Sequence, residues 1–320
     1  MTRRVIGYGA ILCALPYLAL KLIWLAGGNL GIADPGLMHE PTMVALNVVT
    51  AFMDVVAVAI ALAFTHDWGL RIPAWLVLPP MWVATGLLVR FVVTVPFVAA
   101  SMAFARESIR VPPGGPVEPW VYAVVYSGFT GMGIGLMIAF ILYARARWHA
   151  VFDAASTRSA RVDFVRAVSV PLAIAGALLA LAGSVPPLAW TFGSTVGIRA
   201  DLVTGRTFAS SLSNAADALM GLGAAAGVMT MVRGPRSRVP SWLAVAVTWI
   251  GSGSLFSWGL WHLINLLGNT PLVRERLQGM GLVNLMSLVR FIAGLVIGVV
   301  LLLVAAERQD AAGEPRTALP

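Results

Sequence analysis

The stretch GLVNLMSLVRFIAGLVIGVVLLLVAA, residues 281–306, contains one charged side chain, Arg290, among 26 residues. An α-helix rises about 1.5 Å per residue, so about 20 apolar residues cross the roughly 30 Å hydrocarbon core of a bilayer. Seven other stretches meet the same criterion, and the predicted spans are residues 5–26, 43–64, 73–98, 119–144, 167–190, 208–231, 241–266 and 281–306. The sequence therefore predicts an all-α polytopic membrane helix bundle of about eight transmembrane helices.

The composition of the whole chain excludes several other classes of protein. Of 320 residues, 59% are hydrophobic and 11% are charged, with a mean hydropathy of +0.85, whereas an average soluble domain has roughly 45–50% apolar and 25% charged residues. A soluble or disordered protein is therefore excluded, and the single cysteine, Cys13, excludes a disulfide scaffold. The net charge of +8 is a topology signal, so we expect no nucleic-acid partner.

The distribution of basic residues predicts the side of the membrane on which each loop lies, because cytoplasmic loops are enriched in Lys and Arg. One set of alternate segments holds 13 of the 22 basic residues and the other holds six. The other three, Lys21, Arg90 and Arg290, lie inside spans. We therefore expect a multi-pass protein of a bacterial cell (plasma) membrane with both termini in the cytoplasm. No small-residue cleavage pattern follows the first apolar run, which predicts a retained helix.

A motif at the end of the first span recurs at the end of the fifth. WLAGGNLGI, residues 24–32, and WTFGSTVGI, residues 190–198, share one Trp, two Gly and one Ile at identical spacing. Residues 71–86 and 238–253 likewise share Arg, Pro, two Trp and Gly at an offset of 167. Because each half holds an even number of spans, the two halves would be parallel repeats about an axis along the membrane normal.

This internal similarity predicts a 4+4 domain organisation. Residues 1–163 would form the first four-helix membrane repeat, residues 164–306 the second, and residues 307–320 a polar cytoplasmic tail. Each half also has two glycines at the small-xxx-small spacing that closely packed membrane helices favour. We expect these glycines to pack between the halves: Gly131, Gly135, Gly294 and Gly298.

Ionisable side chains inside the spans are the main candidates for a functional site. A charge at the bilayer centre costs at least about 2.5 kcal/mol and is seldom kept without a partner. Asp54, Asp217 and Arg290 lie about 14–18 Å from the outer ends of their spans, which is near the midplane. Lys21 and Arg90 lie nearer the outer edge, where their long stems could snorkel toward water.

Two asparagines extend this pattern into polar stripes. Asn47 and Asn214 correspond at the 167-residue offset, and each shares a helix face with an Asp. We predict that the stripes face each other across a midplane cavity at the repeat interface, with Arg290 as the counter-ion of one Asp. The candidates for a substrate or ion pathway are Asn47, Asp54, Asn214, Asp217, Arg290, Lys21 and Arg90. The same groups could instead lock helices together, and both interpretations stay open.

The five charges also bear on the ligand. They sum to +1, which leaves Lys21 or Arg90 for a small anion or the phosphate of an anionic lipid.

A second candidate site lies on the predicted outer face. His39 and Glu40 are in the first external loop, and His262 is at the outer end of the seventh span. They could act as acid, base or ligand in a membrane enzyme. Their spacing does not match H-E-x-x-H, and the chain has neither a phosphate-binding loop nor a nucleophile elbow. We therefore predict no catalytic set, no metal site and no cofactor.

Three segments carry a resemblance to a known group of proteins. They are ALPYLALKLIWLAGGNLGI at 14–32, MHEPTMVALN at 38–47 and WGLRIPAWLVLPPMWVATG at 68–86. Their Trp and Gly pattern resembles a family of multi-pass integral membrane proteins of actinobacteria with no established activity. The resemblance implies a membrane location and transfers no functional residue.

The first hypothesis for function is a small-molecule or ion permease, or the membrane component of an export system. In that case we expect the lipid bilayer, a small anionic or apolar ligand, and a partner membrane subunit or ATPase. The alternatives are a membrane enzyme acting on a lipid-linked or apolar substrate at the outer leaflet, and a non-catalytic scaffold for another membrane protein.

Overall fold

The fold is a bundle of long helices, seen in a computed structural model that describes residues 2–105, 117–148, 160–233, 239–270 and 280–313. Within these ranges eight helices are long and apolar enough to cross a membrane, and the β structure is limited to a bridge between Ile32 and Val117. The all-α polytopic prediction is therefore confirmed. The helices are α1 (Thr2–Leu25), α2 (Pro41–Thr65), α3 (Ala74–Ala105), α4 (Pro119–Arg147), α5 (Ala160–Thr191), α6 (Phe208–Arg233), α7 (Ser241–Leu267) and α8 (Gly281–Gly313).

The predicted spans agree with these helices, except that some helices continue past the apolar stretch. The last helix runs to Gly313, so residues 307–313 of the predicted polar tail are helical. Good helix formers follow the apolar run here, and no helix breaker comes before Gly313. The apolar stretch sets the membrane crossing, not the end of the helix. Residues 314–320 of that tail lie outside the described residues.

The surface of the bundle is apolar, as contact with a lipid bilayer requires. Leu12, Phe52 and Leu178 are each more than 60% exposed although they lie in the middle of long helices. In water such a surface would cause aggregation. The helices therefore contact lipid.

The helices of the two halves are packed in different arrangements. In the second half α5, α6, α7 and α8 form a closed ring, because each packs on the next and α8 packs back on α5. In the first half α1 packs on α2 and α4, and α3 packs on α4. The halves meet mainly through α3 and α7, with a further contact between α3 and α6.

The matched motifs form matched turns. Trp24 Nε1 donates to the Leu30 carbonyl at 2.8 Å, and Trp190 Nε1 donates to the Val196 carbonyl at 2.9 Å. The two glycines of each turn have positive φ, a left-handed conformation that residues with a Cβ rarely adopt: Gly27 (87°), Gly31 (70°), Gly193 (95°) and Gly197 (75°). The same sequence motif therefore folds in the same way at the ends of α1 and α5.

The contact between α3 and α7 is reciprocal. Trp82 Nε1 on α3 donates to Ser252 Oγ at 3.1 Å, while Trp249 Nε1 on α7 donates to Thr85 Oγ1 at 3.3 Å. Ser252 follows Thr85 at the same 167-residue offset that relates the two Trp. Between them the backbones approach so closely that a Cβ on Gly86 would lie 2.1 Å from the carbonyl oxygen of Gly253.

The small-xxx-small glycines pack mostly within the halves, so the prediction that they join the halves is largely wrong. Gly131 and Gly135 lie against Cys13 and Ala10 of α1. Gly294 lies against the α7 backbone, also within one half. Of the four, Gly298 alone touches the other half, where it contacts the Trp82 ring. The spacing indicates a close helix contact but does not identify the partner helix.

Candidate functional site

Two buried polar groups occupy the bundle, one centred in each half. We call them the Lys21 cluster (Tyr17, Lys21, Asn47, Thr50 and Asp54, on α1 and α2) and the Asp217 triad (Arg90, Asp217 and Arg290, on α3, α6 and α8). They contain all five ionisable candidates. Asn47 and Thr50 correspond at the 167-residue offset to Asn214 and Asp217. The same position therefore carries a hydroxyl in one half and a carboxylate in the other.

Lys21 is the centre of the first group. Its Nζ donates to Asn47 Oδ1 at 2.7 Å and to Thr50 Oγ1 at 2.6 Å, and the residue is 4% exposed. The ammonium also lies 4.8 Å from the centroid of the Tyr17 ring, a cation–π distance. The expectation that Lys21 snorkels outward is therefore wrong, because α2 offers acceptors at the depth of the ammonium.

Asp54 lies one helical turn beyond Thr50 on α2 and is 6% exposed. Its Oδ2 is buried, and no described residue makes a hydrogen bond to it. Lys21 is the charge that acts on it electrostatically, but no salt bridge within 4.0 Å joins the two among the described residues. The Lys21 cluster thus holds one positive and one formally negative group that do not touch.

Asp217 is the centre of the second group and receives cations from two helices. Arg290 Nη1 on α8 donates to Asp217 Oδ2 at 3.0 Å, and Arg90 Nη1 on α3 lies 3.6 Å from Asp217 Oδ1. Arg290 and Asp217 are 5% and 8% exposed. The expected pairing of Arg290 with an Asp is thus present. Because α3 belongs to the first half, the triad also links the halves.

Arg90 is held in an aromatic setting. Its guanidinium carbon lies 4.5 Å from the centroid of the Trp258 ring on α7, within cation–π range. The Arg90 side chain keeps 23% exposure, so this edge of the triad is less enclosed than Arg290. The inward direction of Arg90 differs from the expected snorkelling, because the Asp217 carboxylate and the indole face both attract it.

Arg290 has N–H donors that its contact with Asp217 does not use. Its Nε and Nη2 are buried and have no hydrogen-bond partner among the residues that the structure describes. Its stem packs against Gly183 of α5, where an added Cβ would lie 2.8 Å from Arg290 Cγ. The absence of a side chain at Gly183 therefore leaves the room that the arginine occupies.

The predicted polar stripes do not face each other. Asn47 accepts a hydrogen bond from Lys21 of α1, whereas Asp217 contacts Arg290 of α8 and Arg90 of α3. Asn214 is half-buried one turn before Asp217, and no hydrogen bond joins it to the triad in the described part of the chain. A small recess between α1, α2 and α4 is lined by apolar residues and includes none of the polar candidates.

The outer-face candidates each have a neighbour of their own. His39 Nδ1 lies 2.6 Å from the Pro35 carbonyl, one turn back in a short helix, Pro35–Met38. His262 Nε2 lies 2.9 Å from Asn284 Oδ1 on α8. Glu40 is the residue before α2, and its carbonyl accepts from backbone N–H groups of the first turn. In the described ranges no group of three or more His, Cys, Asp or Glu could hold a metal ion.

Sequence reasoning missed several contributors to the two groups. Thr50 aligns with Asp217 at the repeat offset, and that correspondence was the signal that could have found Thr50. Trp258 aligns with Phe91, which belongs to neither group, so the offset does not point to Trp258. Tyr17 and Gly183 gave no such signal, because their role depends on which helix packs against them.

The chemistry of these two groups is the basis for inferring a function, and the resemblance to actinobacterial membrane proteins stays a prediction. Comparison of the chain with protein-family models, with curated proteins and with solved structures finds no match.

Proposed function

We propose that this protein is a permease, or the permease subunit of an export system, that moves a small solute or ion through a site at the Asp217 triad. The membrane is the bacterial cell membrane, with both termini in the cytoplasm. Basic residues near the ends of α4 and α6 support this orientation: Arg145, Arg147 and Arg233.

The observation that supports a transport site is a buried carboxylate held by cations from both halves. Asp217 on α6 contacts Arg290 of its own half and Arg90 of the other half. Substrate sites of transporters built from repeats lie near the midplane where the repeats meet. A movement of one half against the other would make or break the contact between Arg90 and Asp217.

A purely structural lock fits the triad less well. A buried ion pair stabilises a fold only when its remaining donors and acceptors are also satisfied. The triad has two positive charges against one negative charge, and two nitrogens of Arg290 have no hydrogen-bond partner in the part of the chain that the structure describes. The surplus positive charge and the unpaired nitrogens do not stabilise helix packing, whereas they suit the binding of an anionic ligand.

The test is flux into proteoliposomes that contain the purified full chain. Swelling would be followed by light scattering in isotonic potassium acetate, potassium phosphate and erythritol, with valinomycin to let potassium balance anion uptake. We expect faster swelling than in protein-free liposomes for at least one solute, and loss of that flux in Asp217→Asn.

The matched control is Asp54→Asn, which removes the other buried carboxylate. If Asp217→Asn is folded and keeps the wild-type flux, the triad is a structural lock and the proposal fails. If wild-type protein accelerates none of the three solutes, the permease proposal also loses its support. Loss of flux in Asp54→Asn as well would extend the pathway to the Lys21 cluster.

A further inference from the structure

The unpartnered edge of Arg290 has a specific shape. In a guanidinium group Nε and Nη2 present parallel N–H bonds along one edge, while Nη1 lies on the opposite side. In Arg290 it is Nη1 that binds Asp217, and within the described ranges Nε and Nη2 are both buried without a partner. The unpartnered edge of Arg290 is therefore the pair of parallel N–H donors on Nε and Nη2, which we call the fork.

This fork matches a particular class of ligand. Two parallel N–H donors fit two oxygens of one carboxylate or one phosphate-type group, and such bidentate pairs are stronger and more directional than single contacts. A spherical anion such as chloride does not present two oxygens to the fork. A neutral solute would leave the charge of the triad uncompensated.

The charge of the surroundings leads to the same class. Arg90 and Arg290 together carry +2 against −1 on Asp217, and both cations lie within 4 Å of that carboxylate. Binding of one monoanion would make the group neutral. Buried donors left without partners cost about 1–3 kcal/mol or more when charged, so an acceptor here would be strongly favoured.

Trp258, which lies beside Arg90, provides a spectroscopic probe of the triad. Trp258 lies under the Arg90 guanidinium, and its indole N–H is buried without a hydrogen-bond partner in the described part of the chain. Because the indole is stacked on a cation of the triad, an anion that draws Arg90 or Arg290 toward itself will change the Trp258 environment. Binding is therefore expected to alter tryptophan fluorescence.

We infer that a small oxyanion, carrying a carboxylate or phosphate-type group, binds to Nε and Nη2 of Arg290 inside the bundle. This inference rests on the proposed permease site and names the class of its substrate. The oxyanion is either a soluble anion or the phosphate of a lipid headgroup, since both present the same oxygens.

Binding can be measured without any flux, in detergent, on the purified full chain. Sodium acetate or sodium phosphate would replace sodium chloride at constant ionic strength while tryptophan fluorescence and the midpoint of thermal unfolding are recorded. A third series would add phosphatidylglycerol micelles in chloride. We expect a saturable fluorescence change and a higher unfolding midpoint with acetate or phosphate.

The three series also separate the two sources of the oxyanion. A response to acetate or phosphate assigns the site to a soluble anion. A response to the phosphatidylglycerol micelles alone assigns it to a lipid phosphate. No response beyond that of chloride in any series would overturn the inference.

The decisive variant is Arg290→Lys, which keeps the charge and removes the fork. Losing one charge-assisted hydrogen bond of about 1.5–3 kcal/mol predicts an affinity at least about tenfold weaker. The matched control is Arg3→Lys, because Arg3 already uses its Nε and Nη2 on the Phe64 carbonyl. We expect wild-type anion affinity in Arg3→Lys.

The outcomes distinguish this inference from the permease proposal. Unchanged affinity in a folded Arg290→Lys protein would overturn the oxyanion site, even if the proteoliposomes show flux. Binding that requires Arg290, in a protein that moves none of the tested solutes, would leave the oxyanion site standing and remove the permease. The comparison of anions needs no variant, so it holds even if Arg290→Lys fails to fold.

Discussion

At the residue scale, the buried charges of the two halves have different kinds of partner. The Lys21 ammonium donates to neutral oxygens of Asn47 and Thr50, while Asp54 Oδ2 in the same cluster has no hydrogen-bond partner among the described residues. Asp217 instead contacts two arginines. Nε and Nη2 of one of them, Arg290, have no hydrogen-bond partner among the described residues. The Thr50 hydroxyl accepts a hydrogen bond from one lysine, whereas the carboxylate at the matched position, Asp217, is contacted by two arginines.

Removal of Asp217 should cost more stability than removal of Arg290. Asp217→Asn leaves two guanidinium groups facing each other without a carboxylate, and loss of one partner of a buried pair costs about 3–5 kcal/mol. In Arg290→Met, Arg90 still neutralises Asp217. Unfolding by SDS titration, followed by circular dichroism, would give both free energies.

The double variant completes this cycle. It should be less destabilised than the sum of the two single variants, because the two changes act on one contact. Strict additivity would mean that the pair does not interact.

The space at Gly183 should control the position of Arg290. In Gly183→Ala the new Cβ would meet Arg290 Cγ at 2.8 Å and push the stem away from α5. We expect a cost of about 1–3 kcal/mol and weaker acetate binding, measured by thermal unfolding and tryptophan fluorescence. The matched control is Gly9→Ala, where a Cβ would meet nothing within 4 Å. Equal behaviour of the two variants would contradict the packing argument.

At the element scale, the extent of each helix could be predicted and its rotation could not. A run of about 20 apolar residues fixes a crossing, and a buried charge requires a partner, so the eight helices and the pairing of Arg290 with an Asp followed from the sequence. Lys21 and Arg90 were expected to point outward but point inward. Lipid tails are as apolar as a protein core, so the apolar pattern carries little information about which face of a helix is inside.

The close crossing of α3 and α7 should be intolerant of any side chain at Gly86. A Cβ there would lie 2.1 Å from the Gly253 carbonyl oxygen, which is backbone and cannot rotate away. We expect Gly86→Ala to lower the midpoint of thermal unfolding, with a cost of at least about 1–3 kcal/mol. Gly281→Ala, at an open position on α8, serves as the comparison. A wild-type midpoint in Gly86→Ala would mean that the helices separate freely.

At the scale of the whole molecule, α3 is the helix of the first half that makes most of the contacts with the second half. It contributes Trp82 and Thr85 to the crossing with α7 and Arg90 to the Asp217 triad. The hydrogen bonds of the crossing and the ion contact lie about one to two turns apart on the same helix. A shift of α3 that preserves the crossing could therefore still change the distance between Arg90 and Asp217.

The orientation of the molecule can be tested with single cysteines. In a Cys13→Ser background, Ser194→Cys lies in the turn after α5 and Trp68→Cys in the turn between α2 and α3, so the two mark opposite faces. We expect a membrane-impermeant maleimide to label Ser194→Cys in intact cells and Trp68→Cys after permeabilisation. The opposite labelling pattern would reverse the topology.

The reciprocal hydrogen bonds of Trp82 and Trp249 have the form of an isologous dimer interface, in which residue i meets residue j and j meets i. Two identical subunits in that arrangement would have to carry the same side chain at both copies of every position. A single chain carries no such restriction. Its matched positions hold different side chains, Thr50 and Asp217, and the polar groups around them differ accordingly.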